Sequence, residues 1–429
     1  MAKKLKLPPD EPVPAAEVNM KYGLIGERLG HSFSREVHAL LGNYNYEIHE
    51  VGREELCEFM SERTFSAINV TIPYKEDVIP YLTYISDEAR AIGAVNTIVN
   101  KNGELYGYNT DFFGMRALID HIGITLCGKK VLILGSGGTA KTARAVAHHL
   151  GARSVITVSR GANGDTVSYD EMYEHHTDAE ILINTTPVGM YPNNGAIPVS
   201  IDAFKNLLGV VDAIYNPIRT KLVREAKKRG IPAEGGLYML VAQGVCASEI
   251  FTGQKYPKET TDEVFDKIRR TKENIVLVGM PSSGKTTVAR VLAQMLNLEY
   301  ADTDDMIAKA AGKSIPEIFK LEGESSFRDR ESVEIANISV QNGMIIATGG
   351  GAVLREENID MLKQNGKIFF LDRPVHLLIP TSDRPLTSDI DAIYKRYNER
   401  YEVYKKCADV TVDASKDIES VAEQIIGGF

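Results

Sequence analysis

Three groups of residues in this chain have types and spacings suited to chemistry. The first is Gly279-Met280-Pro281-Ser282-Ser283-Gly284-Lys285-Thr286, with Thr287 next, directly after the apolar run Ile275 to Val278 and ahead of a helical pattern. A G-x-x-x-x-G-K-T loop in that place aims backbone N–H groups and a positive helix end at phosphate. Lys285 reaches the outer phosphates, and the Thr286 hydroxyl can ligate Mg²⁺. The second group is Gly135-Ser136-Gly137-Gly138-Thr139-Ala140, a G-x-G-x-x-A turn between the buried-strand pattern Lys130 to Leu134 and a helix over Ala143 to Leu150. The following strand, Ser154 to Val158, completes a β-α-β unit and ends in Ser159-Arg160. A carboxylate there would bind a ribose 2′-hydroxyl, whereas a guanidinium accommodates a 2′-phosphate, so NADP(H) is expected rather than NAD. The third group surrounds Lys75. In Asn69-Val70-Thr71-Ile72-Pro73-Tyr74-Lys75, Asn69, Thr71 and Pro73 share one face of an extended segment, and proline ends the strand. Lys75 is then left at the mouth of a helix expected near Glu76.

Two more polar clusters look similar: Ser32-Phe33-Ser34, and Gly93-Ala94-Val95-Asn96-Thr97 entering the strand Ile98-Val99. Asn109-Thr110-Asp111 precedes a helix from about Phe112. By local chemistry alone, Ser34 and Asp111 read equally well as helix caps.

The elements that must carry these residues alternate. Tyr22 to Ile25, Tyr46 to Glu50 and Ala67 to Ile72 read as strands with helices between them, giving an α/β domain over 20–115. Residues 116–235 read as a Rossmann domain whose sheet continues through Ile181 to Asn184 and Gly209 to Tyr215, with strand ends near the nicotinamide. A helix starting near Gly236 and running through Met239 to Gln243 returns to the first domain, which it completes over about 236–265. The polar stretch around 266–273 is the expected linker, and 274–429 a three-layer α/β phosphate-loop domain. Residues 1–19, rich in lysine and proline, are read as a flexible leader.

At 429 residues the chain is too long for one core, and a composition 43% apolar and 25% charged is that of an ordinary globular protein. A formal net charge of −9 argues against nucleic acid as the main partner and leaves small anionic molecules. No apolar run of membrane-spanning length is present, so no membrane partner is expected. Four scattered cysteines without a C-x-x-C fit a reducing cytoplasm rather than a disulfide or zinc framework. The paired histidines 148–149 and 175–176 read as packing or surface residues, and Tyr394, Tyr397, Tyr401 and Tyr404 as a packed helical stripe.

The serine, Asn69 to Lys75, Gly93 to Thr97, Asn109 to Asp111 and Met239 to Gln243 motifs stand in the order and spacing of shikimate dehydrogenase, which residues 20–265 resemble throughout. The resemblance implies that Lys75 and Asp111 form a catalytic pair. It places Ser32, Ser34, Asn69, Thr71, Asn96 and Gln243 on a hydroxylated ring, Tyr215 near the substrate carboxylate, and Gly236 and Met239 near the nicotinamide. The implied reaction is NADPH-dependent reduction of 3-dehydroshikimate to shikimate. Ser159 departs from the asparagine often found before the arginine.

Residues 274–429 resemble shikimate kinase. This implies ATP as the nucleotide, Asp302 near the Mg²⁺ shell with Thr286 as direct ligand, and Asp304 at the ring hydroxyls as base. It also implies Arg328 and Arg400 on the shikimate carboxylate with Glu331 orienting Arg328, Gly350 and Gly351 against the ring, and Arg384 as the lid arginine. Between Leu371 and Arg384 the lid is shorter than the family's, an upstream arginine is missing, and Arg373 stands too early to replace it; reduced but real kinase activity is expected. The combined expectation is a bifunctional enzyme of the shikimate pathway. Two alternatives are a dehydrogenase with an ATP-sensing module, and a quinate/shikimate dehydrogenase.

Overall fold

The computed structural model describes residues 21–29, 32–42, 44–162, 164–380 and 389–429. The leader expected over 1–19 and the lid residue Arg384 lie outside the described residues. The chain divides into two compact units, one of Met1–Thr186, Ser200–Ala213 and Arg229–Phe265, the other of Pro187–Val199, Ile214–Lys228 and Asp266–Phe429.

The first unit holds two sheets. Strands β1 (Tyr22–Gly26), β2 (Glu47–Glu50), β3 (Ala67–Val70), β4 (Tyr84–Ile85), β5 (Thr97–Lys101) and β6 (Glu104–Tyr108) form a mixed sheet in the order β2-β1-β3-β5-β6-β4. The helix expected near Glu76 is absent. Tyr74 is fully buried and its hydroxyl donates to the Val51 carbonyl at 2.6 Å, while the Lys75 carbonyl accepts from the Val95 N–H at 2.8 Å. The segment is thus pinned by partners distant in sequence, and it turns until a short 3₁₀ helix, Ile79–Tyr81.

Strands β7 (Lys130–Leu134), β8 (Ser154–Val158), β9 (Thr166–Val167), β10 (Ile181–Asn184), β11 (Gly209–Asp212) and β12 (Ala233–Glu234) form a parallel sheet in the order β12-β11-β10-β7-β8-β9. The chain goes one way from β7 to β8 and returns to the other side at β10. That switch point is where open α/β sheets bind ligands. Val131 to Leu134 are all fully buried, as a strand covered on both faces must be. Residues of helices Thr110–Ile122, Gly138–His149 and Leu237–Thr252 pack against Val131, Ile133, Ile181, Ile183 and Val211.

In the second unit, β13 (Asn274–Val278), β14 (Tyr300–Asp302), β15 (Ile345–Ala347), β16 (Gly366–Asp372) and β17 (Val410–Asp413) pair in parallel in the order β14-β15-β13-β16-β17. Side chains alternate between two cores. Val276, Val278, Ile346, Ile368 and Phe370 face one, and Ile275, Leu277, Ile345, Phe369 and Leu371 the other. Each buried aliphatic side chain contributes roughly 1.5–3 kcal/mol, so both faces need helical cover, and the three-layer arrangement follows. Residues 266–272, read as linker, are the end of helix Thr260–Lys272. Glu273 behind it is buried between Arg219 at 2.5 Å and Arg269 at 2.7 Å.

Candidate active sites

In the first unit the Lys75 ammonium lies 2.5 Å from Asp111 Oδ2, with both side chains partly exposed. Asp111 is available for this contact because it is not the cap of its helix. Asn109 is the cap, accepting from the Phe112 N–H at 3.2 Å and donating to the Ala94 carbonyl at 2.9 Å. Asp111 then stands in the first turn, where the helix dipole favours a carboxylate. Ser34 is likewise not a cap. It is the first residue of helix Ser34–Leu41, with its N–H and hydroxyl both turned to Ser32 Oγ, at 3.3 and 3.1 Å.

The remaining ring-site candidates sit in a neutral network. Asn69 is buried, accepting from Tyr46 at 2.7 Å and donating to Thr97 Oγ1 at 3.0 Å and the Asn96 carbonyl at 3.2 Å. Asn96 Oδ1 accepts from the Thr110 N–H at 2.7 Å, and the Thr110 hydroxyl reaches Gln243 Oε1 at 3.2 Å. Thr71 is half-buried against Gly26. Gln243 is brought in by close helix contact: a Cβ on Gly114 would stand 2.6 Å from the Met239 carbonyl, and one on Gly244 would stand 2.8 Å from Val37. Gly236 packs its backbone on the Ala213 carbonyl, where no side chain would fit. Tyr215 lies in the second unit, just past the end of β11, its phenol pushed up by burial.

At the end of β7, Gly135 has φ +107°, and a Cβ there would meet Thr185 Oγ1 at 2.7 Å. Gly137 and Gly138 differ, since a Cβ on either would meet nothing within 4 Å. They form an exposed, open cradle at the N-terminus of a 12-residue helix, with Thr139 half-buried and Ala140 buried behind them. That geometry fits a dinucleotide diphosphate. Beside β8 is a cavity of about 450 Å³ whose lining includes Lys141, Arg144 and Thr166. Arg160 is exposed after the end of β8, while Ser159 is turned inward, donating to the Gly161 carbonyl at 2.9 Å. The residues fit NADP(H), with Arg160 rather than a carboxylate directly after β8 and with Lys141 and Arg144 lining the cavity alongside Asp165.

In the second unit the phosphate loop follows the central strand β13. Gly279 and Gly284 take φ of +151° and +94°, and Ser282 is also left-handed at +64°. Lys285 Nζ donates to the Gly279 and Met280 carbonyls at 2.8 and 2.9 Å, and Ser283 Oγ is buried with no partner among the described residues. Thr287 follows in the first turn of helix Lys285–Leu296. Thr286 donates to Asp302 Oδ2 at 2.6 Å, and Asp302 caps helix Thr303–Ala311 through the Asp304 N–H at 3.0 Å. A hydroxyl and a carboxylate so paired form the hard-oxygen donor set that suits Mg²⁺.

Next to this loop is a cluster of buried charges. Arg328 donates to Glu331 at 2.8 Å and to Glu324 at 3.2 Å. Burial raises the Glu331 carboxyl above its ordinary range despite the nearby Arg328 and Arg400. Arg400 donates to the Gly350 carbonyl at 3.0 Å, and its Nε is buried without a partner among the described residues. The glycine turn is obligatory here. A Cβ on Gly349 would stand 2.5 Å from Glu331 and 2.6 Å from Asp304, and one on Gly351 would overlap the Arg328 guanidinium. Arg373 is engaged elsewhere, donating to the Ala414 carbonyl at 2.9 Å.

Several supporting residues escaped the sequence reading. Tyr404 donates to the Gly350 carbonyl and stacks on Phe370, so it also holds the glycine turn; Tyr397 and Tyr401 pack with it, whereas Tyr394, expected in the same stripe, is exposed at the start of the helix. The position of Tyr404 four residues after Arg400 puts the two on one helix face, which was a legible signal. Arg355, which donates to the Arg328 carbonyl at 3.0 Å, and Tyr46, which binds Asn69, gave no such signal. No described helix is long and apolar enough to cross a membrane, and the four cysteines are unpaired.

Comparison with known proteins bears on both sites. A family model for the shikimate dehydrogenase substrate binding domain matches residues 24–98, and one for shikimate kinase matches residues 281–427. A shikimate dehydrogenase (NADP(+)) of Clostridium perfringens (strain SM101 / Type A) is 38% identical over 266 residues, covering 58% of this chain and 98% of that protein. Among solved structures, a chorismate mutase/shikimate 5-dehydrogenase fusion protein from Clostridium acetobutylicum is similar at 35% identity and a TM-score of 0.55, covering 58% of this chain and 97% of that one. Shikimate 5-dehydrogenase from Thermus thermophilus, in complex with NADP(H) and shikimate, is 29% identical with a TM-score of 0.53 over 58% of this chain and 99% of that one.

Proposed function

The chain belongs to the shikimate dehydrogenase family and carries a shikimate kinase region behind it, and from that premise we propose how one polypeptide performs two consecutive reactions. It reduces 3-dehydroshikimate to shikimate with NADPH and then phosphorylates the 3-hydroxyl with MgATP. The observation that carries the first half is the 2.5 Å contact of Lys75 with Asp111 in a setting of hydroxyl and amide groups. NADPH, held at the turn from Gly135 to Ala140, supplies the hydride. Lys75 stabilises the developing alkoxide and delivers its proton, and Asp111 keeps the ammonium charged and aimed. Ser32, Ser34, Thr71, Asn96 and Gln243 orient the ring, with Asn69 bracing Asn96 through the internal bonds described above. Arg160 takes the 2′-phosphate, aided by the cavity-lining Lys141 and Arg144.

For the second half, Thr286 and Asp302 would hold Mg²⁺, which would supply neutralisation of phosphate charge. Lys285 and the loop N–H groups bind the nucleotide phosphates. Asp304 takes the proton of the 3-hydroxyl, while Arg328 and Arg400 hold the carboxylate in the bidentate manner that suits guanidinium. A purely ATP-sensing role is disfavoured by the buried cluster of Arg328, Glu331 and Arg400, since sensing needs no carboxylate clamp. We place both activities in the cytoplasm, with small molecules as partners.

The test uses the full chain: NADPH consumption dependent on 3-dehydroshikimate, and ADP release dependent on shikimate under saturating Mg²⁺. Both are expected, with NADPH preferred over NADH. Absence of shikimate-dependent ADP release would leave the sensing role, and preference for quinate with NAD would overturn the first half.

A further inference from the structure

Helix Ser34–Leu41 carries a buried histidine that no step above uses. His38 is only 1% exposed. Burial pushes its imidazole down to about 3, against a smaller opposing pull from the Asn69 amide. A neutral imidazole has one N–H, and its surroundings decide which nitrogen bears it. Tyr256 donates to the Leu41 carbonyl at 2.6 Å, and a carbonyl cannot donate in return. The Tyr256 oxygen therefore accepts from Ser248 at 2.9 Å. Ser248 in turn accepts from Tyr44 at 2.7 Å, and Tyr44 from His38 Nδ1 at 2.6 Å. Each hydroxyl has a single proton, so the last bond sets the direction of all the others. The imidazole is the Nδ1–H tautomer, and its buried Nε2 has no hydrogen-bond partner among the described residues.

This one-way chain starts on the helix that opens with Ser34 and reaches helix Leu237–Thr252, on which Ser248 follows Gln243. The same ring stacks face to face on Tyr46, with centroids 3.9 Å apart and planes 6° from parallel, and Tyr46 holds Asn69. Ser34, Gln243 and Asn69 come from three separate parts of the chain and share one imidazole as their common support. We propose that His38 is a positioning residue for the dehydrogenase ring site, acting through these three residues; this rests on reading that site as the one for 3-dehydroshikimate.

Asparagine keeps a donor on the atom next to Cγ, where Nδ1 sits, whereas glutamine moves it to the Nε2 position. In the full chain, H38Q is expected to raise KM for 3-dehydroshikimate roughly tenfold while KM for NADPH and the kinase reaction stay unchanged. H38N should recover most of that loss. Y44F cuts the chain with little change of volume and should show the same split, which keeps the test decisive if H38Q fails to fold. Nitrogen NMR of the wild-type histidines reads the network without activity, and should show a neutral Nδ1–H ring persisting well below the ordinary histidine range. Wild-type KM in both H38Q and Y44F, equal losses in H38N and H38Q, or an Nε2–H tautomer would each overturn the proposal. A wild-type chain that reduces no 3-dehydroshikimate would sink the functional reading instead, while the nitrogen spectrum would still decide the network.

Discussion

The two proposed active sites, read above as holding the same small molecule, are framed by different physics. In the dehydrogenase site the framework is neutral: amides of Asn69, Asn96 and Gln243, hydroxyls of Tyr46, Thr97 and Thr110, and an unprotonated His38. The kinase site is framed by buried charge, with Arg328, Glu331 and Arg400 locked around a glycine turn. The difference follows from the reactions. Hydride transfer to a ketone develops charge on one oxygen, which one partly exposed ion pair can serve. Phosphoryl transfer gathers charge on several oxygens at once and needs fixed cations.

The largest expected effect that separates the sites is at Lys75. Lys75→Met should lower dehydrogenase kcat about 10³-fold while shikimate-dependent ADP release in the same preparation is unchanged. A loss in both activities would break the comparison by making the sites one system. Asp304→Asn is the mirror experiment, expected to cut phosphorylation by about 10²-fold, leaving ATP binding and NADPH consumption intact; unchanged turnover would assign the base elsewhere. Arg160→Ala removes a charge-assisted contact with a 2′-phosphate. It should weaken NADPH binding roughly tenfold, about 1.5 kcal/mol, with NADH unaffected.

The smallest effects are in pH dependence, and their signs are opposite. His38 has a depressed value in the folded chain, so its contribution to stability is complete above the ordinary histidine range and is lost as pH falls toward about 3. Glu331 has a raised value, so its contribution is present below the ordinary carboxylate range and is lost as pH rises through the raised value. Urea unfolding across this range should show H38N flattening the acid-side loss and E331Q removing the opposing slope. Parallel slopes in the two variants would erase the distinction between a neutral and a charged framework.

Much of this architecture was legible in the residues. The runs Lys130 to Leu134, Ser154 to Val158 and Ile181 to Asn184 are strands to the residue; the apolar runs Val131 to Leu134 and Ile181 to Ile183 are unbroken because those strands are buried on both faces, and the β-branched Val155, Ile156, Thr157 and Val158 mark the third locally. The turn after Pro73 was misread as a helix for the opposite reason. It is pinned by the Tyr74 hydroxyl donating to the Val51 carbonyl and by the Lys75 carbonyl accepting from Val95, partners that no window around Glu76 contains.

Taken alone, the order of residues sets the chemistry on offer: two phosphate-binding turns, a lysine and an aspartate in polar clusters, and arginines suited to a carboxylate. These are short motifs whose meaning depends on neighbours within a few residues. Which of these groups are bonded to one another, and through which atoms, is decided by the folded chain. Asn69 supports Asn96, Tyr404 holds Gly350, and Tyr44 meets Ser248 across 204 positions of chain. Burial and the direction of a hydrogen bond arise when distant segments meet, and no local pattern records them.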